Sequence, residues 1–144
     1  MSQATSHATD TQITFLNGTY AEALALTQEA RDYVALEERA ERKGLKPADQ
    51  LVAACESMRI TTRLTQVMAW LLVQRAVQAG EMTREDARRP EHRLGAQEIC
   101  ETSDLSAPAD LPPRMVSLLS RSHALYERVS RLDAMLDVRT GLDV

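Results

Sequence analysis

Residues 58–82 read MRITTRLTQVMAWLLVQRAVQAGEM. At ~100° per residue, the unbroken apolar run from Val67 to Val73 leaves no side of a helical cylinder polar, so more than one neighbour has to cover it. Upstream, Pro47 suits the first turn of this helix because it has no N–H to leave unpaired, and downstream Gly80 is its natural stop. A helix of that span is about 50 Å long at ~1.5 Å per residue. It is the second helix of the chain and sorts by direction into three faces. Leu51, Cys55, Met58, Thr62, Thr65, Ala69, Leu72, Ala76 and Ala79 form a small, apolar stripe suited to close contact with the helices before and after it. Ile60, Leu64, Val67 and Leu71 form a second apolar face. Glu56, Arg59, Arg63, Gln66, Trp70, Gln74 and Val77 form the third.

A helix in a three-helix bundle buries one broad face, so the face of Ile60, Leu64, Val67 and Leu71 needs a second cover, either the long connection or a partner subunit. Leaving four large aliphatics wet would forgo roughly 1.5 to 3 kcal/mol each. Two-fold self-association is the commonest way to cover such a stripe, and it makes these residues dimer-interface candidates. Trp70 lies among arginines and glutamines. It reads either as an indole lying under arginine stems with its N–H bonded to a glutamine, or as a partner-binding anchor.

The rest of the chain supplies the partners. Residues 1–12 have no period and read as a disordered tail. A first helix is predicted from about Thr19, where Thr19 and Glu22 have capping-box spacing. Its inner stripe is Leu16, Tyr20, Ala23, Thr27, Ala30 and Val34, and it ends in ERAERKG, with Gly44 as a left-handed cap. A third helix follows DLPPRM, with Pro112 or Pro113 in its first turn and the seam Leu118, Ser122, Leu125, Val129, Leu132, Leu136. The segment from Glu81 to Leu111 is too long for an ordinary bundle connection. Thr83 to Asp86 carries a weak capping signal for a short helix limited by Pro90, and Leu94, Ile99, Cys100 and Leu105 are apolar enough to pack, so the segment should drape over the bundle. The expected architecture is all-α: one antiparallel three-helix bundle over residues 13–138, with a short tail at 139–144.

Composition agrees: of 144 residues, 44% are hydrophobic and only 3% aromatic, with five Gly and five Pro. The formal net charge of -4 argues against nucleic acid as a main ligand and against an anionic membrane surface, because both need a basic field. Cys55 and Cys100 form no Cys-x-x-Cys pair and read as small buried hydrophobes rather than zinc ligands or a redox motif. The first residues lack the basic and apolar regions of a signal peptide, and no eighteen-residue apolar run occurs, so a cytoplasmic protein is expected.

Catalysis needs convergent groups, and none declare themselves. His7 and His92 lie outside the long helices, and His123 sits one turn before Glu127, an ordinary helix-surface pair. No phosphate loop, His-Glu-x-x-His or nucleophile motif is present. The one enzymatic alternative is a chorismate-mutase-like or other small-molecule site in which Arg63, Gln74 and Arg75 would hold a dicarboxylate. Arg75 also reads as a partly buried arginine paired to a glutamate of the third helix.

The blocks SMRITTRLTQVMAWLLVQRAVQAGEM, RLGAQEIC, and LP followed by LLSRSHALYERVSRLD closely resemble the alphaproteobacterial family named regulator of CtrA degradation (RcdA). The similarity runs from about Tyr20 to Asp133. It implies a three-helix, dimer-forming cytoplasmic adaptor without enzymatic activity, which helps the ClpXP protease capture cell-cycle substrates. In that family, recruitment to ClpX goes through a response-regulator adaptor, CpdR, and the cyclic-di-GMP-binding adaptor PopA can dock in turn; no ATP, metal, nucleotide or other cofactor would bind this chain directly. The matching block makes Arg59, Arg63, Gln66, Trp70, Gln74 and Arg75 protein-interaction candidates. Members of the family can carry a longer flexible C-terminal tail implicated in delivery, whereas only VRTGLDV follows the third helix here, so the resemblance bears on recruitment more than on substrate tethering.

Overall fold

The computed structural model describes the backbone of residues 3–101 and 110–140 and the side chains of residues 10–101 and 110–137. Its chain order is α1 (Gln3–Leu36), α2 (Glu38–Lys43), α3 (Pro47–Gln78), α4 (Arg84–Ala87), a 3-10 turn (Pro90–His92), α5 (Gln97–Cys100) and α6 (Pro113–Thr140). No strand occurs among the described residues, and α1, α3 and α6 make the expected helical bundle. Leu105 and the last four residues of the chain lie outside the described residues.

Several local signals act as the sequence suggested. Pro47 and Pro113 open α3 and α6, since a missing N–H costs nothing in a first turn. Gly80 ends α3 at φ 76°, and the backbone N–H groups of Glu81 and Met82 both return to the Ala76 carbonyl, at 2.9 and 3.2 Å. The Thr83 hydroxyl accepts from the Asp86 N–H at 3.0 Å and caps α4. Leu118, Ser122, Leu125 and Val129 are buried along α6, with Leu132 and Leu136 packed against the same core.

Others act differently. The first helix begins at Gln3, so residues 3–12 are helical and the capping box at Thr19 does not form. Thr19 lies inside the helix and donates its hydroxyl to the Phe15 carbonyl at 3.0 Å, a bond within the turn that caps nothing. Ala23, Leu26, Ala30 and Tyr33 form the buried face of α1, displacing Val34, which is exposed. Glu37 leaves the helical region at φ -124°, ψ -38°, and separates α1 from α2. Gly44 caps α2 in the right-handed region, at φ -76°, ψ -8°, with none of the left-handed geometry expected of it.

The largest difference concerns α3, which lies against both α1 and α6. Ile60, Leu64, Val67 and Leu71, expected at a dimer interface, are buried in the core of a single chain together with Ala23, Leu125 and Val129. The small stripe expected to face inward faces outward: Leu51 is 68%, Met58 71% and Leu72 50% exposed. Burial of apolar area decides the orientation. Over the stretch from Ile60 to Leu71, the four large aliphatics remove more surface from water than Thr62, Thr65 and Ala69 of the small stripe would. The outward threonines also need no partner, because Thr62 donates to the Met58 carbonyl at 2.9 Å and Thr65 to the Thr61 carbonyl at 2.8 Å.

Two bidentate ion pairs tie α1 to α6. Arg121 holds Glu29 with bonds of 2.6 Å each, and Arg128 holds Glu22 at 2.6 and 2.9 Å. The hydrogen bonds from these arginines keep both carboxyls below their ordinary value of 4.5, against a smaller opposing effect of burial. A carboxyl whose folded value lies below its unfolded one stabilises the fold above the unfolded value, and that contribution is lost as pH falls through the folded value. The melting temperature is therefore expected to fall as pH drops below 4.5. In thermal melts, a Glu22→Gln, Glu29→Gln double variant should lose part of that slope, and a slope identical to wild type would show that the pairs contribute nothing measurable.

Candidate interaction surface

The third face of α3 turns toward the connection and α6, and its polar groups hold the connection down. Arg63 is buried. Its Nε donates to the Cys100 carbonyl at 2.9 Å, at the end of α5, while one terminal nitrogen reaches the Leu119 carbonyl at 3.2 Å and Ser122 Oγ at 3.3 Å. Burial and the neighbouring Arg59 push its guanidinium below the usual arginine range. One turn on, Gln66 Oε1 accepts from the Gly95 N–H at 3.0 Å, and the Tyr126 hydroxyl donates to the Gly95 carbonyl at 2.7 Å. A Cβ at Gly95 would stand 3.1 Å from Gln66 Oε1, so glycine suits this close approach. Ala96 follows in the left-handed region at φ 58°.

Trp70 is buried, and its indole N–H donates to Asp133 Oδ1 at 2.9 Å, where sequence reasoning expected a glutamine. Asp133 also takes the Arg93 Nε at 2.8 Å, and Arg93 extends to both carboxylate oxygens of Asp137, at 2.9 and 3.0 Å. Hydrogen bonds to Asp137 and then Asp133 raise the Arg93 guanidinium above its ordinary range, and Arg93 holds the Asp137 carboxyl below its own. Sequence reasoning missed Arg93 and Asp133 because nothing local links two residues 40 positions apart. The one signal was that RLGAQEIC and the end of the SRLD block stand out together in the resemblance.

The remaining candidates scatter. Arg59 pairs with Glu56 at 2.5 Å on its own helix. Arg75 is exposed and lies over the Tyr20 ring at 4.2 Å, a cation–π contact with α1 where a glutamate of α6 had been expected. Gln74 lines a cavity of about 470 Å³ between α1, α3, α4 and α6, and its amide nitrogen is buried with no partner. Arg63 and Arg75 do not line that cavity, so the three residues of the mutase-like reading are not brought to one place. Arg63 is buried in structural bonds; the Trp70 N–H is likewise committed, although its ring lines the cavity. Cys100 is buried, but Cys55 is exposed on the outward stripe.

His123 and Glu127 pair at 3.4 Å, and His123 also meets the Glu101 carbonyl at 2.9 Å. Among the described residues, no three His, Cys, Asp or Glu side chains cluster as metal ligands, and no helix is long and apolar enough to cross a membrane. Two features face outward instead: the stripe from Leu51 to Leu72 on α3, and the mouth of the cavity.

The family described as "Protein of unknown function (DUF1465)" matches residues 7–141. No curated protein matches the chain. Among solved structures, the chain is similar to the crystal structure of RcdA from Caulobacter crescentus CB15, with 39% sequence identity and a TM-score of 0.69 over 84% of this chain and 89% of that one. The chain therefore belongs to the DUF1465 family, and to the family of which RcdA is a solved member.

Proposed function

We propose that this protein is a non-enzymatic, cytoplasmic adaptor in regulated proteolysis, which links ClpXP, through a CpdR-like response regulator, to cell-cycle protein substrates and accepts a PopA-like adaptor. The observation that carries this reading is the 39% identity with RcdA along most of both chains. The geometry is consistent with it. Arg63 and Gln66 of the matching block bond the connection directly, Trp70 bonds the Asp133 that holds Arg93 of the connection, and the groups left for function are surfaces. The test is capture of ClpX from native cytoplasm by the full chain, with and without the response regulator, followed by degradation of a captured substrate by purified ClpXP. Capture that depends on the regulator, and degradation that depends on this protein, are the expected results. Failure of the folded protein to retain either component would remove the reading.

The homodimer belongs to the same proposal, on a different face from the one first expected. The outward stripe of α3 runs about 30 Å between Leu51 and Leu72 at ~1.5 Å per residue. Its alanines and threonines allow two helices to approach closely, with Met58 about two turns in from the Leu51 end. Met58→Glu and Leu72→Glu sit on exposed positions and should leave helicity unchanged. Light scattering behind size exclusion is expected to give a dimer for wild type and a monomer for the double variant. A dimer that survives both charges would exclude the stripe.

A further inference from the structure

At one end of the bundle, α1, the last turns of α3, α4 and the last turns of α6 do not close on one another, and the space left is the cavity of about 470 Å³. Its walls include Leu16, Trp70, Val77 and Leu136. Two further apolar residues of its lining stand at the surface: Phe15 is 49% and Met135 59% exposed. An enclosed ligand site buries most of its occupant, whereas here the apolar lining continues over the lip onto the outer surface, as it does in grooves that take a helix or strand of another protein. Met135 is also a side chain that repacks readily around different shapes.

Arg84 and Arg88 complete the lining on the α4 side. Neither has an ion-pair partner among the described residues, although Arg89 beside them pairs with Asp86, and Arg93 with Asp133 and Asp137. On a chain of net charge -4, Arg84 and Arg88 beside an exposed apolar groove form a local cationic edge, Arg88 being offset in part by Asp137 of α6, on which its charge acts. Gln74 adds an amide nitrogen without an acceptor in the same wall. Thr11, Gln12 and Gln78 add neutral polar groups to the lining, so its formal charge comes from the two arginines, and what complements that edge is an apolar anchor with carboxylates beside it.

We infer that this groove is a docking site for an amphipathic segment of a partner protein, seating apolar side chains between Phe15, Trp70 and Met135 and acidic side chains on Arg84 and Arg88. The inference rests on the adaptor reading for the partner being a protein. Trp70 is the one tryptophan of the chain, and it lies in the groove wall, so its emission reports occupancy without a label.

The experiment selects a random dodecapeptide library on the folded full chain, counter-selects on an Arg84→Glu, Arg88→Glu variant, and titrates the enriched peptides against Trp70 emission. Peptides with apolar residues at helical spacing beside Asp or Glu are expected. They should shift the emission saturably, bind the variant at least about tenfold more weakly, and recover affinity for it when their acids are changed to Lys, since each unit charge reversed at a close pair is worth of the order of 1 kcal/mol or more. Enriched peptides that leave Trp70 unmoved or bind both proteins equally would overturn the inference, as would a selection that enriches nothing. It would also fall if sub-micellar dodecanoate shifts Trp70 and no peptide does, because the groove would then take a small amphiphile. Capture of ClpX by the wild-type chain, measured alongside, separates the two readings: capture without peptide binding removes the docking site and leaves the adaptor standing. Peptide binding without capture keeps the site and removes the adaptor.

Discussion

Leu64→Glu is expected to unfold the protein rather than to release a soluble monomer. Leu64 is buried in the chain's own core, with Ile60, Val67 and Leu71 on one side of α3 and residues of α1 and α6 around them. A carboxylate there has no cationic partner, so it must either stay charged in an apolar medium or take up a proton and still bury an unpaired hydroxyl. The loss should exceed about 5 kcal/mol, which is comparable to the whole stability of a domain this size. Leu64→Ala separates the packing part of this effect and should cost about 2 to 5 kcal/mol with the fold retained. Circular dichroism and urea unfolding measure both. A folded, monomeric Leu64→Glu protein would return this face to an interface between chains.

Asp133→Ala is the second large effect, because one carboxylate serves three groups from two other parts of the chain, α3 and the connection. It accepts the Trp70 indole N–H at 2.9 Å and the Arg93 Nε at 2.8 Å, and it lies 3.4 Å from the Leu94 backbone N–H. Removing it strands a buried indole N–H and leaves Arg93 only Asp137 as a carboxylate partner. Breaking a buried charge pair by deleting one member costs about 3 to 5 kcal/mol. The urea midpoint should fall accordingly, and the Trp70 emission should change before the helices melt, because the connection is released first. Asp133→Asn keeps an acceptor for the indole and should recover part of the loss. Equal losses in the two variants would mean that the charge on Arg93 dominates and the indole bond contributes little.

The places where reading the residues succeeded and failed have a common physical basis. Pro47, Pro113, Gly80 and Thr83 act through their own backbone and their nearest turn, so their roles were legible from position alone. The α6 seam was legible because one stripe dominates that helix. On α3 the run from Val67 to Val73 makes every direction apolar, so periodicity ranks no face above another. The choice of the small stripe as the inner one followed from close helix approach, whereas the total area buried favours the large aliphatics. Trp70 was correctly singled out as needing a partner for its N–H, but Gln66 and Gln74 beside it on the helix were the wrong place to look. Its partner, Asp133, is 63 residues away.

By itself the sequence determined the helical class, the three long helices with their main stops, the presence of structure in the long connection, and the family. These follow from local backbone preferences and from blocks of residues read in order. Only the tertiary structure decided which face of α3 is core, which arginines are committed to carbonyls and carboxylates, and where an apolar groove edged by Arg84 and Arg88 lies. Those outcomes depend on which distant side chains meet, and the energies that select among them, buried area and paired charge, belong to contacts between helices and not to any one stretch of chain.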